Sequence, residues 1–329
     1  MNRLILITIF ALSTILTEGQ PVKIIFDTDM ESDVDDVGAL AMLHGFADAG
    51  EAEILGTISS SLNPWSAPVI DVINTYFGRP DLTIGNVKTK GVYRNSSYAK
   101  TISEMYPQDI GLGERAPDAT RIYREILSSQ PDTSVVIVTV GYLTNLSYLL
   151  QTQPDQYSAL NGMELVKRKV KRLVCMGGRY PLQLDPAKWG NFKPDPEAIR
   201  HVAGQWPTQI IFTTGGDFSN AIHTGTILFT DKAEKGNPVT EAYRIFLRGW
   251  NRDYHHSSDL IAVYVAVRGH EPYFRLQTEG YFHIFEDGTQ VWRFAPDRPS
   301  QHIIGEFAEG VDLADVAADF DNLLIRGFG

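Results

Sequence analysis

Five short apolar runs of strand type alternate with runs of helix type, and this alternation is the feature that most restricts the fold. The strand-like runs are rich in Val and Ile and apolar on both faces, which is typical of strands buried in a parallel sheet. Strands that alternate with helices predict an α/β fold with an open, mostly parallel central sheet flanked by helices. The predicted strands are 23–26, 52–58, 134–140, 172–176 and 209–214, and the predicted helices are 37–49, 67–76, 118–129, 144–151 and 196–204.

The 329 residues, 43% of them hydrophobic, are enough for one large domain with a sizeable core. We find no internal repeat, low-complexity tract or long linker, so a single domain over 21–329 is predicted, with a long loop over 179–193. The net charge of −11 and the lack of a basic stripe argue against a nucleic-acid polymer as partner. They do not exclude a small neutral substrate.

The N-terminus is typical of a signal peptide. A short basic start, Met1-Asn2-Arg3, precedes an apolar run over 4–16 and a small polar segment over 17–20. This pattern predicts a cleaved signal over 1–20 and an exported protein, periplasmic or secreted. The apolar run is too short to span a bilayer comfortably, so we expect no stable membrane anchor, with an uncleaved anchor as the alternative.

The chain has one cysteine, Cys175, in the predicted strand RLVCMGG. It cannot form a disulfide within the chain, and a domain of this size does not need one. We expect a buried apolar residue rather than a catalytic thiol, because free cysteine is among the most buried residue types.

Polar and glycine-rich segments follow four of the predicted strands. An acid cluster follows the first, and SSSLNPW, GYLTN and GGRY follow the next three. In an open α/β sheet, ligands bind at the carboxyl ends of the strands. The sequence therefore predicts one site assembled from several loops.

The acid cluster places six carboxylates within ten positions, directly after the first strand. Crowded and buried carboxylates raise each other's pKa, and a divalent cation relieves this cost. A cluster without His or Cys favours a hard cation such as calcium over zinc. Capping of the next helix is the alternative, but it accounts for only one or two of the acids. The cluster consists of Asp27, Asp29, Glu31, Asp33, Asp35 and Asp36.

Known motifs for metal or phosphate binding fit this cluster poorly. An EF-hand loop counted from Asp27 or Asp29 lacks both the glycine at its sixth position and the acid at its twelfth. The D-x-D pattern of aspartate-nucleophile phosphatases requires Thr or Val at the position where this chain has Glu31. The chain contains no Walker phosphate loop.

The block DTDMESDVDDVGAL resembles the N-terminal signature of the inosine–uridine nucleoside hydrolases, in the variant with extra residues before the final Asp-Asp pair. Further blocks occur in the family's order: LGTISSSLN, VTVGYLTNL, VCMGGRY, GNFKPDPEA and SSDLIAVYVAVRG. The resemblance covers nearly the whole chain after the predicted signal. It implies an enzyme of purine or pyrimidine salvage that hydrolyses the N-glycosidic bond of nucleosides to free base and ribose with Ca²⁺ as cofactor. It also implies a small-molecule nucleoside or riboside as partner and a possible homo-oligomer.

The resemblance implies a role for seven positions. Asp29 is expected to be a calcium ligand and the general base for the attacking water. The other implied ligands are Asp36, Asp259 and the backbone carbonyl of Val140, and the implied ribose contacts are Asp35, Asn63 and Asn191.

The chemistry needs the residue types that are present. Glycoside hydrolysis passes through a transition state resembling an oxocarbenium ion. A metal lowers the pKa of a bound water, a carboxylate completes its deprotonation, and anionic surroundings stabilise the positive charge on the sugar.

Three features depart from the family pattern. Trp189 stands where the family often has a Glu that contacts the 5′ end of the sugar, and Ser258 stands where a His often protonates the leaving group. His255 and His256 are the candidate catalytic substitutes, although a solvated loop position is the alternative. Asp33 has no assigned role.

Two other function classes stay open at this point. A calcium-dependent sugar or nucleoside binder that has lost leaving-group activation is compatible with Ser258 and Trp189. A metal phosphatase of the D-x-D type is a weaker alternative.

Overall fold

The structure is a computed structural model that describes residues 19–88, 90–180, 188–296 and 300–325. Most of the predicted signal segment, residues 1–18, lies outside these ranges, as do residues 181–187 of the predicted loop. Within the described ranges, no helix has both the length and the apolar character that crossing a bilayer requires.

Strands and helices alternate along most of the chain, as the sequence predicts. The strands are β1 (Val22–Thr28), β2 (Ala52–Ser59), β3 (Ile84–Asn86), β4 (Val135–Thr139), β5 (Val170–Arg179), β6 (Gln209–Gly215), β7 (Phe274–Gln277), β8 (Tyr281–Ile284), β9 (Gln290–Arg293) and β10 (Gln301–Phe307). The helices are α1 (Asp35–Asp48), α2 (Ser66–Tyr76), α3 (Ala99–Met105), α4 (Ala119–Ser129), α5 (Thr144–Gln151), α6 (Gly162–Lys169), α7 (Pro196–Gln205), α8 (Asp217–Asn220), α9 (Pro238–Leu247), α10 (Ser258–Arg268) and α11 (Leu313–Leu324).

The central sheet has eight strands in the described residues, in the order β3-β2-β1-β4-β5-β6-β10-β7. All neighbouring pairs are parallel except β10 and β7, which are antiparallel. Strands β8 and β9 form a separate antiparallel hairpin. The predicted α/β class with a mostly parallel sheet is confirmed.

Two layers of helices cover the two faces of the sheet because the strands are apolar on both sides. Within β1, Ile24 and Phe26 pack into the layer that contains α1, α2, α9, α10 and α11. Ile25 points the other way, into the layer of α4, α5, α6 and α7. Cys175 on β5 is fully buried in this second layer, as expected, and burial raises the pKa of its thiol.

The five predicted strands and five predicted helices are all present, with ends that move by a few residues. Helix α5 has the predicted bounds, whereas β5 continues three residues further than predicted, to Arg179. The loop prediction for 179–193 holds in part, since Gly190–Phe192 form a single turn of 3-10 helix. The C-terminal strands β7 and β10 were not predicted, and they complete one edge of the sheet.

The strand order reverses direction at β1. Strands β2 and β3 extend the sheet on one side of β1, and β4, β5 and β6 extend it on the other. The connections therefore leave a crevice outside the carboxyl ends of β1 and β4, which is where open α/β sheets bind ligands. The acid cluster begins at this end of β1.

Candidate active site

Four carboxylates form the floor of a cleft at the carboxyl end of β1. Asp29 follows β1 directly, Asp35 and Asp36 begin α1, and Asp259 lies in the first turn of α10. Their exposed fractions are 6%, 2%, 2% and 4%. Carboxylates are rarely buried to this extent without a partner. We call Asp29, Asp35, Asp36 and Asp259 the acidic floor.

Hydrogen bonds hold two of these carboxylates in place. Asp36 accepts hydrogen bonds from the hydroxyl of Thr28 and, at 3.2 Å, from the amide of Met30. Asp35 accepts one at 3.2 Å from the amide of Asp259 and so satisfies a free N–H at the start of α10. The capping alternative therefore describes one function of Asp35, but it acts on α10 and not on its own helix.

The turn after β4 closes the site opposite the acids. The amide of Val140 donates to the carbonyl of Asp27 at 2.8 Å, and the carbonyl of Val140 accepts from the side-chain amide of Asn191. Gly141 follows, and a Cβ at this position would overlap the amide nitrogen of Asp29 and the hydroxyl of Ser60. Glycine is needed here because the ends of β1 and β4 approach so closely.

Burial and mutual repulsion perturb the titration of the acidic floor. Burial, helped by the charge of Glu31, raises the pKa of Asp29 to about 8. Burial, helped by Asp33, raises the pKa of Asp35 to about 7. The pKa values of Asp36 and Asp259 lie well above the usual range, first because of burial and then because of the neighbouring acids. Four such groups cannot all be ionised without a compensating positive charge.

The donor set fits a hard divalent cation. Carboxylate oxygens of Asp35, Asp36 and Asp259 lie within 4.8 Å of one another, and Asp29 and Val140 line the same cleft. In the described part of the chain, the basic side chains paired with this floor are two histidines on Asp35. Calcium and similar ions bind oxygen ligands, and carboxylate oxygens that are not already paired with a lysine or arginine are available for this role.

A second group, Asp33 with His255 and His256, lies beside the floor. Nε2 of His255 contacts the carboxylate of Asp33, and Nε2 of His256 lies 3.6 Å from both Asp33 and Asp35. Although burial opposes it, the hydrogen bond from His255 and the charges of both histidines lower the pKa of Asp33. Together with Asp35, these three side chains also lie within metal-binding distance of one another.

Arg252 determines which tautomer His255 adopts. Its Nη2 lies 3.2 Å from Nδ1 of His255, and arginine can only donate, so in the neutral imidazole Nδ1 accepts and Nε2 carries the proton toward Asp33. A metal on Nε2 would need the proton on Nδ1, facing Arg252. The oxygen group of the acidic floor is therefore the better candidate for a metal centre.

The two remaining acids of the cluster lie inside the wall of the cleft, where both accept hydrogen bonds, although Oδ1 of Asp27 has no partner among the described residues. Glu31 accepts hydrogen bonds from Tyr142 at 2.6 Å, from the Arg94 amide at 3.1 Å and from the Ser61 hydroxyl. Asp27 accepts from Tyr123 at 2.8 Å and from Asn145 at 3.2 Å, and burial raises its pKa to about 7. Asp27 joins β1 to α4 and α5, Glu31 joins the loop after β1 to other loops, and neither acid lines the cleft.

The structure brings most of the predicted site residues to one cleft. Those that line it are Asp29, Asp35, Asp36, Val140, Asn191, His255, His256 and Asp259. Asn63 is placed in the wall instead, where its side chain bonds to the carbonyl of Arg94 and the amide of Trp65. Its contact with ribose stays a prediction. Ser258 is buried, and its hydroxyl lies 2.7 Å from that of Ser219.

The cleft has a volume of about 920 Å³ and an aromatic and basic rim above its acidic floor. Trp250 is 57% exposed and stacks on Phe246, while Tyr254 stacks on His223 with ring centroids 4.0 Å apart. Exposed aromatic rings in a cleft of this size favour a planar ligand.

Sequence reasoning missed three contributors to this site. Tyr142 was inside a quoted block but had no role, and Trp250 and Arg252 lie in a loop without a local motif. Asp33 was noted as unassigned, and its position beside two histidines depends on a contact across 222 positions. A tyrosine directly after a strand-end glycine was the one signal that could have been used.

A cleft at the reversal point of a parallel sheet, floored by buried carboxylates that fit a divalent cation, is suited to metal-assisted hydrolysis. The sequence matches the family model of the inosine-uridine preferring nucleoside hydrolases over residues 24–312, and the chain belongs to this family. It is therefore an N-glycosyl hydrolase of the nucleoside hydrolase type, as the signature predicted. A search of curated protein sequences found no match.

Solved structures of two nucleoside hydrolases and of an effector protein share the fold. A plant nucleoside hydrolase, PpNRh1, is 18% identical with a TM-score of 0.66, over 93% of this chain and 99% of that chain. The inosine-uridine preferring nucleoside hydrolase from Bacillus anthracis is 18% identical with a TM-score of 0.65, over 93% and 99%. The type III effector protein XopQ, solved in complex with adenosine diphosphate ribose, is 17% identical with a TM-score of 0.64, over 94% of both chains.

Proposed function

We propose that this protein is a calcium-dependent ribohydrolase that cleaves ribonucleosides, or a closely related N-riboside, to free base and ribose. The acidic floor is the observation that carries the proposal, because four buried carboxylates lie together and none has a lysine or arginine partner among the described residues, an arrangement that a bound cation stabilises. Asp29, Asp36, Asp259 and the Val140 carbonyl are the proposed ligands. A bound calcium ion supplies the positive charge that keeps these carboxylates ionised and lowers the pKa of a water.

Asp29 is the proposed general base. It leads directly from β1 into the cleft and is 6% exposed, so its carboxylate meets the cleft and not bulk solvent. The attacking water gives a proton to Asp29 as its oxygen forms a bond to C1′ of the ribose. The bond from C1′ to the base nitrogen breaks at the same carbon. The remaining floor carboxylates stabilise the positive charge that develops on the sugar.

Asp35 and Asn191 are the proposed contacts to the ribose hydroxyls. Asp35 is fixed by the amide of Asp259, and Asn191 by the carbonyl of Val140. Both side chains are thus oriented before substrate binds, which lowers the entropic cost of positioning the sugar.

His256 is the better candidate of the two histidines for protonating the leaving base. His255 is 3% exposed and engaged on both ring nitrogens, by Arg252 and Asp33. His256 is 26% exposed, lines the cleft and lies 3.6 Å from Asp33 and from Asp35. Burial lowers the pKa of His256 overall, the charge of Asp33 opposes this by favouring a protonated imidazole, and the exposed edge is free to reach a base.

Residues 1–20 are proposed to be removed on export. The basic start and short apolar run of the sequence support this proposal. The intact mass of the exported protein tests it, and a mature protein that retains residues 4–16 contradicts it.

The test of the proposed function is release of free sugar from a panel of nucleosides, with and without a chelator. Hydrolysis of at least one ribonucleoside, lost with chelator and restored by calcium, is the expected result. Stoichiometric zinc in the purified protein, or full activity without metal, contradicts the calcium assignment. Calcium-dependent ribose binding without hydrolysis of any riboside favours the binding-protein alternative.

A further inference from the structure

Four cations line the cleft above the acidic floor. They are Arg94, Lys188, Lys193 and Arg252, and we call them the basic rim. Their position is unusual because the chain carries 29 lysines and arginines against 40 aspartates and glutamates. In so acidic a protein, cations near the cleft would be expected to pair with the nearest carboxylates.

Three of these cations have no ion-pair partner among the described carboxylates. The exception is Lys188, which lies 3.5 Å from Asp287 with both side chains about half exposed. Arg94 makes its hydrogen bonds to the cleft wall through its backbone, and the charge of its side chain acts on Glu31 without an ion pair. Its amide donates to Glu31, and its carbonyl accepts from the side chain of Asn63. The guanidinium of Arg94 is exposed and makes no hydrogen bond to a described residue.

Arg252 is held in the cleft by two aromatic rings and by Nδ1 of His255, and no described carboxylate pairs with it. Its guanidinium lies 4.7 Å from the ring centroid of Trp250 and 5.3 Å from that of Tyr254. Its Nε is buried and has no hydrogen-bond partner in the described residues. A held cation with unused donors is the usual form of an anion-binding group.

The segment from Lys188 to Lys193 carries two cations and no acid. Trp189 lies between them, with the guanidinium of Arg179 5.5 Å from its ring centroid. A carboxylate at position 189 would repel an anion at this edge of the cleft, and the tryptophan does not. The edge nearest Asn191, the proposed ribose contact, is therefore positive.

We propose that the cleft accepts N-ribosides whose ribose carries a phosphate on its 5′ carbon, and that the basic rim binds this phosphate. The inference rests on the proposed function for the orientation of the sugar. The 2′ and 3′ hydroxyls face the acidic floor, so the 5′ carbon, at the other end of the furanose ring, points toward the rim. Negative floor and positive rim then complement the two ends of one substrate.

Binding of ribose 5-phosphate and of ribose, measured by calorimetry with calcium present, tests the rim without requiring turnover. We expect the phosphate to tighten binding by at least about tenfold at low salt, as charge-assisted hydrogen bonds do. The advantage should shrink as salt rises, because the rim is partly exposed. Equal affinity for the two sugars overturns the inference.

A double variant, Arg94→Gln with Lys193→Gln, should remove most of that advantage. The matched control is Arg168→Gln with Lys171→Gln, which has the same change in charge. Both control residues are exposed, at the end of α6 and the start of β5, and do not line the cleft. If both double variants lose the same share of the affinity for ribose 5-phosphate, the effect comes from net charge, and specific phosphate binding by the basic rim is wrong.

Turnover separates this inference from the proposed function. The ratio of kcat/KM for a nucleoside 5′-monophosphate to that for its nucleoside should exceed about ten, and it should fall in the rim variant. If the wild type cleaves both substrates with equal kcat/KM, the proposed hydrolase function stands and the proposed binding of a 5′-phosphate is wrong. If the protein binds ribose 5-phosphate tightly but cleaves neither substrate, phosphate binding by the basic rim stands and the proposed hydrolase function is wrong.

Discussion

At the scale of single residues, the acids after β1 differ in role because they differ in partners. Asp27 and Glu31 accept hydrogen bonds from tyrosine hydroxyls and strengthen the wall. Asp33 pairs with His255, which leaves Asp29, Asp35 and Asp36 for the cleft. One sequence motif thus supplies acids that stabilise the cleft wall, an acid that pairs with a histidine, and acids of the acidic floor. Substitution is expected to have a different consequence for each of these roles.

Asp29→Asn should abolish turnover and leave the fold intact. Asparagine keeps the size and one oxygen, but it cannot accept the proton of the attacking water. Positioned general-base catalysis contributes about 10²–10⁴-fold, so kcat should fall by at least that factor. Steady-state kinetics and circular dichroism provide the two measurements.

Asp253→Asn is the matched control, since Asp253 is an exposed acid in the loop before α10. It should retain the activity and the spectrum of the wild type. If Asp29→Asn retains a near-normal kcat on every riboside tested, the role assigned to Asp29 is wrong.

His256→Gln should slow substrates with poor leaving groups much more than an activated nitrophenyl riboside. The activated substrate needs no proton, whereas a purine or pyrimidine does, and general-acid catalysis contributes about 10²–10⁴-fold. Burial lowers the pKa of His256 below its ordinary value despite the charge of Asp33. Activity on poor leaving groups should therefore decline as pH rises through a pKa below the usual histidine value.

His255→Gln provides the comparison for this prediction. Because Arg252 and Asp33 engage both ring nitrogens of His255, its loss should affect both substrate types by a similar factor. A larger leaving-group dependence for His255→Gln than for His256→Gln would exchange the two roles.

At the scale of elements, α1 links the site to the core on one face of the sheet. Its first turn carries Asp35 and Asp36, and its later residue His44 is fully buried against α2. The ring of His44 stacks on Phe77, with Nε2 3.0 Å from the Asn74 side chain and Nδ1 3.3 Å from Arg79. Burial lowers the pKa of His44 to about 3.

This histidine predicts a loss of stability in mild acid. The unfolded state binds a proton near pH 6.5, while the folded state does so only near pH 3, so stability is present above pH 6.5 and falls as pH decreases toward 3. Relative to pH 7, the free energy of unfolding should be lower at pH 5 by roughly 2 kcal/mol, because each pH unit below 6.5 costs about 1.4 kcal/mol.

Urea unfolding of wild type and His44→Gln at pH 7 and at pH 5 measures this term. The destabilisation of the variant relative to wild type should be smaller at pH 5 by about 2 kcal/mol, because glutamine does not titrate. The raised pKa values of the acidic floor act in the opposite direction, but they are common to both proteins and cancel. An identical pH dependence in the two proteins would contradict the burial argument.

At the scale of the whole molecule, the acidic floor joins segments that are far apart in sequence. Asp29 follows β1 and Asp36 lies in the first turn of α1. Val140 follows β4, and Asp259 lies in the first turn of α10. A cation bound by all of them acts on the native state and not on the unfolded chain. Calcium should therefore stabilise the fold by about 2.7 kcal/mol at 100 times its Kd.

Thermal unfolding of wild type and Asp259→Asn, with calcium and with chelator, checks this coupling. Without metal the variant should have the higher Tm, because one of four mutually repelling carboxylates is gone. With calcium the order should reverse, because the variant has lost a ligand. The same order under both conditions would mean that Asp259 is not part of a cation site.

The sequence by itself determined the α/β class and the end of the sheet at which the site lies. Alternating runs and strand-end polarity are local properties, and β1, α1 and α5 follow from them to within two residues at each end. The C-terminal strands β7 and β10 did not follow, since short runs at the edge of a sheet have a weak local pattern.

Only the tertiary structure decided which acids face the cleft and which join its wall. Glu31 and Asp35 belong to the same acid run, yet Glu31 receives donors from Tyr142 and Ser61 while Asp35 receives the amide of Asp259. The pairing of Asp33 with His255 likewise depends on loops far apart in sequence. Such contacts are set by how helices pack across the sheet, and no short segment of sequence contains that information.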